Sequence, residues 1–170
     1  MKVVVNYPLV DEILEQYRDV IKYDYVGYRN HITRMLNFCH YLLPDITDEE
    51  SMKIQVAAVF HDIALWTHDR VDYLVPSYQD CHLWLENQGL SEWKEEIQII
   101  IDMHHLISEY SGPYAKLAEA FRKAETQRGN TGQQIISKTR QTNWLDPYWQ
   151  QLGQYFCLVN CRSDRATLIR

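Results

Sequence analysis

The stretch that decides the reading of this chain is Ile54-Gln55-Val56-Ala57-Ala58-Val59-Phe60-His61-Asp62-Ile63-Ala64. Its apolar run, Val56 to Phe60, ends in two ionisable side chains side by side, which packing alone does not explain. A buried carboxylate next to a buried imidazole must be paired or must coordinate something, because leaving either unsatisfied costs several kcal/mol. The segment reads as the end of a helix. Thr47 or Asp48 caps it, and Glu49 and Glu50 fill its first turn, where the helix dipole favours acids.

Working outward, the signals are helical throughout. Pro8 suits the first turn of a helix that carries Leu9, Ile13, Leu14, Tyr17 and Ile21 on one stripe. A second helix is expected from Tyr25 to Leu43, with Ile32, Met35, Leu36, Cys39 and Leu43 as its apolar face and Pro44 ending it. Trp66 to Val75 reads as a loop. Pro76 then opens a fourth helix that runs through Trp84 and stops at Gly89. Ser91 caps a fifth, Glu92 to about Ile107. After Ser111-Gly112-Pro113 comes a sixth, with Leu117, Ala120, Phe121 and Ala124 on one face.

No βαβ rhythm appears, and a minor strand at Val3 to Val5 is the one exception to helix. The expected fold class is all-α. Beyond Gln127 the texture changes: Gly129-Asn130-Thr131-Gly132 breaks the helix, and Asp146 to Cys161 forms a last aromatic-rich one. Residues 1–170 read as one domain, with a motif-bearing core over about 26–125 and a C-terminal extension over about 128–170.

Composition bounds the function. With 170 residues, 46% of them hydrophobic and 24% charged, the chain suits a single globular domain. A formal charge of −6 argues against a nucleic-acid polymer as partner and leaves room for a small phosphorylated molecule. Cys39, Cys81, Cys157 and Cys161 form no CxxC pair, and a disulfide framework is not expected without a secretory signal. Residues 1–7 do not resemble a signal peptide, and no apolar run approaches the roughly 20 residues a membrane span needs. The expected location is cytoplasmic. The apolar, aromatic segment from Trp144 to Cys157 offers a surface for a homodimer.

A second embedded histidine, His31, lies upstream in Tyr28-Arg29-Asn30-His31-Ile32-Thr33-Arg34-Met35. A late carboxylate, Glu125, closes the series in Glu119-Ala120-Phe121-Arg122-Lys123-Ala124-Glu125. The order His, His-Asp, carboxylate, together with the apolar-HD-apolar-small pattern of Val59 to Ala64, resembles the HD superfamily of metal-dependent phosphohydrolases. The resemblance covers roughly Val26 to Glu125. It implies an HD-like bundle of about six to eight helices, with His31, His61, Asp62 and Glu125 as metal ligands. The family places aspartate at the last of these; glutamate is longer by one methylene.

The implied cofactor is a divalent ion (Mn, Fe, Co, Mg or Zn), and one per chain is expected rather than two. His and carboxylate ligands suit several of these metals. The implied activity is phosphoester hydrolysis of a small molecule, with a nucleotide as first guess, by a metal-activated water. Asp62 both ligates and accepts a proton, and His104 or His105 stabilises charge on the phosphate. Arg34, one turn after His31, and Lys123 are the expected substrate-binding cations. No Gly-rich phosphate loop is present, so ATP-dependent transfer is not expected.

Two other readings stand beside this one. Some HD proteins hold two irons and activate oxygen, which would enlist His82, His104 or His105 as ligands. The glutamate at 125 also fits an HD domain that has lost catalysis and binds a ligand or partner.

Overall fold

The structure, a computed structural model, describes residues 3–68 and 72–126. Every regular element in these residues is helical, so the chain is all-α there. The expected helix over Asp146–Cys161 and the homodimer surface over Trp144–Cys157 lie outside the described residues. No described helix is long and apolar enough to cross a membrane.

The central element is α4, Asp48–Phe60. Thr47 Oγ1 accepts from the Glu50 amide at 3.2 Å, and Glu50 returns a carboxylate to the Thr47 amide at 3.0 Å. This capping box satisfies two otherwise orphaned N–H groups and fixes where the helix starts. Toward the other end Val56, Ala57, Ala58, Val59 and Phe60 are all buried. A helix end that is apolar all round has to be covered from every side. The cover comes from α1 (Pro8–Glu15), α3 (Tyr25–Leu42), α6 (Leu74–Gln88), α7 (Lys94–Met103) and α8 (Ala115–Thr126).

Several boundaries differ from those the sequence suggests. The first stripe breaks at Gln16-Tyr17 into α1 and a single turn, α2 (Arg18–Ile21). Val3 to Val5 is not a strand. Its backbone is held instead by one side chain: Asn37 Oδ1 accepts from the Val4 amide at 2.8 Å, and Asn37 Nδ2 donates to the Val4 carbonyl at 2.7 Å. The expected loop after the His-Asp pair contains one helical turn, α5 (Ala64–Thr67).

α6 begins two residues before Pro76, which therefore sits in the first turn, where the missing N–H has no helical partner to lose. It ends at Gly89, whose φ of 73° lets the Leu90 amide close onto the Leu85 carbonyl at 2.9 Å. α7 stops at Met103, not near Ile107. The chain from there to α8 is clamped by one ion pair. Arg122 Nη1 donates to the Leu106 carbonyl at 3.2 Å, and Glu119 accepts from the Tyr110 amide at 2.7 Å. Arg122 and Glu119 are themselves joined at 2.6 Å.

Candidate metal centre

Four helices bring five potential donors together. His31 comes from the middle of α3, His61 and Asp62 from the end of α4, His104 from the residue after α7, and Glu125 from the last turn of α8. His61 and His104 are fully buried, with His31 and Asp62 nearly so. The termini of α4 and α7 matter here, because a histidine just past a helix can turn its ring back onto the last carbonyls. His61 Nδ1 donates to the Ala58 carbonyl at 2.8 Å, and His104 Nδ1 donates in the same way to Ile101. With Nδ1 carrying the proton, each neutral ring keeps its Nε2 lone pair facing inward.

The donors form two groups that meet at His61. His31, His61 and Glu125 offer atoms within 4.8 Å of one another, as do His61, Asp62 and His104. His61 Nε2 lies 3.1 Å from His31 Nε2 and 3.1 Å from Asp62 Oδ2. His31 Nε2 is 3.4 Å from Glu125 Oε2, and His104 Nε2 is 3.7 Å from Asp62 Oδ1. The expected quartet of His31, His61, Asp62 and Glu125 therefore straddles both groups, and His104 joins it as a fifth donor.

Protons alone do not satisfy this arrangement. Arg34 Nη2 donates to His31 Nδ1 at 2.9 Å, so a neutral His31 bears its proton on Nε2, facing His61. A lone pair on His61 Nε2 accepts that proton but repels Asp62; a proton there suits Asp62 and opposes His31. Three further buried atoms, Asp62 Oδ1, His104 Nε2 and Glu125 Oε2, have no hydrogen-bond partner among the described residues. Each such atom costs about 1–3 kcal/mol, more for a charged group. A cation at either group accepts that group's lone pairs together, and the set of imidazoles and carboxylates suits a borderline divalent ion.

The electrostatics follow the same geometry. Burial pushes His31 down to about 4, against the pull of Glu125. Burial also opposes ionisation of Asp62, yet the imidazoles of His61 and His104 hold its carboxyl well below the usual range. For Glu125 burial is likewise outweighed by His31 and His61, and its pKa is lowered. Burial would lower His61, but the Asp62 and Glu125 carboxylates raise it. The cluster thus favours the ionised form of both carboxylates despite their burial.

The remaining candidates divide. His105 stacks on His104 at 3.7 Å between ring centroids, and its Nε2 bonds the Tyr73 hydroxyl. Burial lowers it to about 4, with His104 adding to the effect. Arg34 stands beside the cluster through His31. Lys123 does not join it: it pairs with Glu119 at 3.2 Å, and two residues along a helix from Glu125 is about 200° around the axis. His82 Nε2 meets the Lys94 carbonyl at 3.3 Å and is in neither donor group. A surface cleft lined by Tyr17, Thr67, His68, Asp80 and Trp84 opens elsewhere and includes none of the five donors.

Two aromatic side chains support the site without a clear sequence signal. Tyr28 is fully buried, lies 6.0 Å from the His61 ring and 4.6 Å from Trp66, and donates its hydroxyl to the Val59 carbonyl at 2.7 Å. It sits one turn before His31, and that spacing was its only trace in the sequence. Tyr73, nearly buried, closes the side occupied by His105. Comparison of the chain with protein-family models, with curated proteins and with solved structures finds no match.

Proposed function

We propose that this chain is an HD-type, metal-dependent phosphohydrolase acting on a small phosphoester, a nucleotide being the first candidate. The observation that carries the reading is the convergence of three imidazoles and two carboxylates from four helices, with three of their buried atoms lacking a hydrogen-bond partner among the described residues. His31, His61, Asp62, His104 and Glu125 would hold the ion. When bound, a divalent ion supplies a water acidified toward neutral pH and a counter-charge for phosphoryl oxygens.

The chain's own residues account for the rest. Ala58 and Ile101 orient the rings of His61 and His104, and the carbonyl behind each ring raises its basicity as a ligand. Asp62, its carboxylate held ionised by His61 and His104, would help hold the ion and would accept the proton of the attacking water. The buried rings of Tyr28 and Phe121, 6.0 and 5.7 Å from the His61 ring, shield these groups from bulk water and so strengthen their electrostatic hold on charge. Arg34, which donates to His31 Nδ1, would offer a planar fork to two phosphate oxygens.

A second reading has one specific observation behind it: the donors fall into two groups, not one. Two irons, one at each group, would point to oxygen activation. Elemental analysis of protein supplemented in turn with manganese, iron, cobalt and zinc separates the cases, followed by a screen of phosphorylated nucleotides. One ion per chain and phosphate release are expected, both lost in His61→Ala. Two irons without phosphate release would move the reading to oxidation, and a chain empty in every metal would end the catalytic reading.

A further inference from the structure

We infer that Arg122 is a positioning residue for the metal centre, holding the turn that carries His104 in register with the helix that carries Glu125. The inference rests on the metal-centre reading above and names a residue outside the donor set on which that centre depends. It starts from a gap in the scaffold. α7 ends at Met103, and His104 stands in a tight turn closed by the Leu106 amide onto the Met103 carbonyl at 3.0 Å. From Ile107 to Ser111 no backbone group bonds to another backbone group among the described residues. A stretch with so few backbone bonds opens easily, whereas a metal ligand must be held to within a few tenths of an ångström.

Side chains from α8 take the place of the missing backbone bonds. Arg122 Nη1 donates to the Leu106 carbonyl at 3.2 Å and reaches the Ile107 carbonyl at 3.5 Å. Its Nε and Nη2 donate to the two oxygens of Glu119 at 2.6 and 3.0 Å. Glu119 in turn accepts from the Tyr110 amide at 2.7 Å. Both side chains are buried. A planar fork with fixed donor directions sets angle as well as distance, which a single ammonium does not.

Arg122 also stands where the two donor groups meet the scaffold. Glu125 follows it by three residues, about one turn along α8, and belongs to the group with His31 and His61. Leu106, which it holds, follows His104 by two residues, and His104 belongs to the group with His61 and Asp62. Phe121, beside Arg122 in α8, places its ring 5.7 Å from His61 and 6.5 Å from His104. Arg122 therefore ties the turn bearing one ligand to the helix bearing another. Without that tie His104 Nε2 loses its fixed approach to Asp62, now 3.7 Å from Oδ1.

The test sets manganese affinity, from chelator competition, against thermal unfolding, on full chains stripped of metal. Removing Arg122 alone takes the main partner from buried Glu119, so both are exchanged for apolar residues, which for buried pairs is often near neutral in stability. Arg122→Met/Glu119→Leu should unfold within a few degrees of wild type and bind manganese about tenfold more weakly, or worse. Thr47→Ala, at the far end of α4, should lower the unfolding midpoint and leave the affinity unchanged. In a His104→Ala background the pair exchange should cost less than about twofold more, because the ligand that Arg122 positions is already gone. Arg122→Lys keeps the charge and lacks the fork; it should lose manganese in the same way, and it gives the answer if the double variant does not fold.

Wild-type affinity in the folded double variant or in Arg122→Lys, or an undiminished loss in the His104→Ala background, would overturn the positioning role while the metal centre stood. Failure of wild type to take up any metal would overturn the centre itself, and this proposal with it.

Discussion

Replacing Glu125 by aspartate would give the chain the ligand that the HD pattern expects, and the geometry says that the exchange should weaken metal binding. Donors around one ion at about 2.1 Å stand roughly 3.0 Å apart when adjacent and roughly 4.2 Å apart when opposite. Glu125 Oε2 lies 3.4 Å from His31 Nε2, within that window. Removing a methylene retracts the carboxylate by about 1.5 Å, which moves this pair toward ~4.9 Å, beyond the window. α8 is not free to follow, since it packs against α3 and α7 and is tied to the preceding loop by Arg122 and Glu119.

The loss should be about 10–100-fold in manganese affinity, or about 1.4–2.7 kcal/mol, the range for disturbed metal sites. Chelator competition on wild type and Glu125→Asp measures it directly, and thermal unfolding of both metal-free proteins checks that the fold is intact. If Glu125→Asp binds as tightly as wild type, or more tightly, then α8 is not set for a glutamate, and the reasoning from helix position to ligand length fails.

Two further outcomes concern the scaffold. Thr47→Ala removes the side-chain half of the capping box at the start of α4. It should cost about 1 kcal/mol, read as a fall of about 2–4 °C in the unfolding midpoint. An unchanged midpoint would deny the cap its role. Glu119 is held down from 4.5 to about 2 by its bond to Arg122, with help from the Tyr110 amide and Lys123. A carboxylate whose folded pKa is depressed stabilises the fold above its unfolded pKa and loses that contribution as pH falls through the folded one. Stability should therefore drop between about pH 4.5 and pH 2, by about 1–2 kcal/mol once solvent screening is allowed for. Glu119→Gln should flatten that part of the curve in denaturant titrations across pH, and an unaltered slope would show that the clamp does not stabilise through its charge.

Some of this was written in the linear chain. Helix content followed from periodicity because apolar stripes at 3.6-residue spacing have no other stable use, and the Thr47 cap was visible because capping depends on neighbours three residues apart. His61 and Asp62 stood out because ionisable groups within an apolar run need partners, and His31 and Glu125 were singled out by the resemblance to the HD pattern. Elements set by contacts distant in sequence were not legible. The residues Val3 to Val5 look like a strand, but the amide of Asn37, on another helix, takes up the backbone groups of Val4. Lys123 and Glu125 are near neighbours in sequence, yet the helix sends one to Glu119 and the other to the cluster.

The part of His104 shows the division most clearly. The sequence marks it only as one of two adjacent histidines, with either eligible to meet a phosphate. Tertiary structure separates them: α7 ends at Met103, His104 folds its ring back onto Ile101 and aims Nε2 at Asp62, and His105 turns to Tyr73. Local sequence fixes which segments are helices and which residues are chemically out of place, because those depend on short-range sterics and burial. Which lone pairs share one point in space depends on how four helices pack, and no spacing along the chain carries that distance.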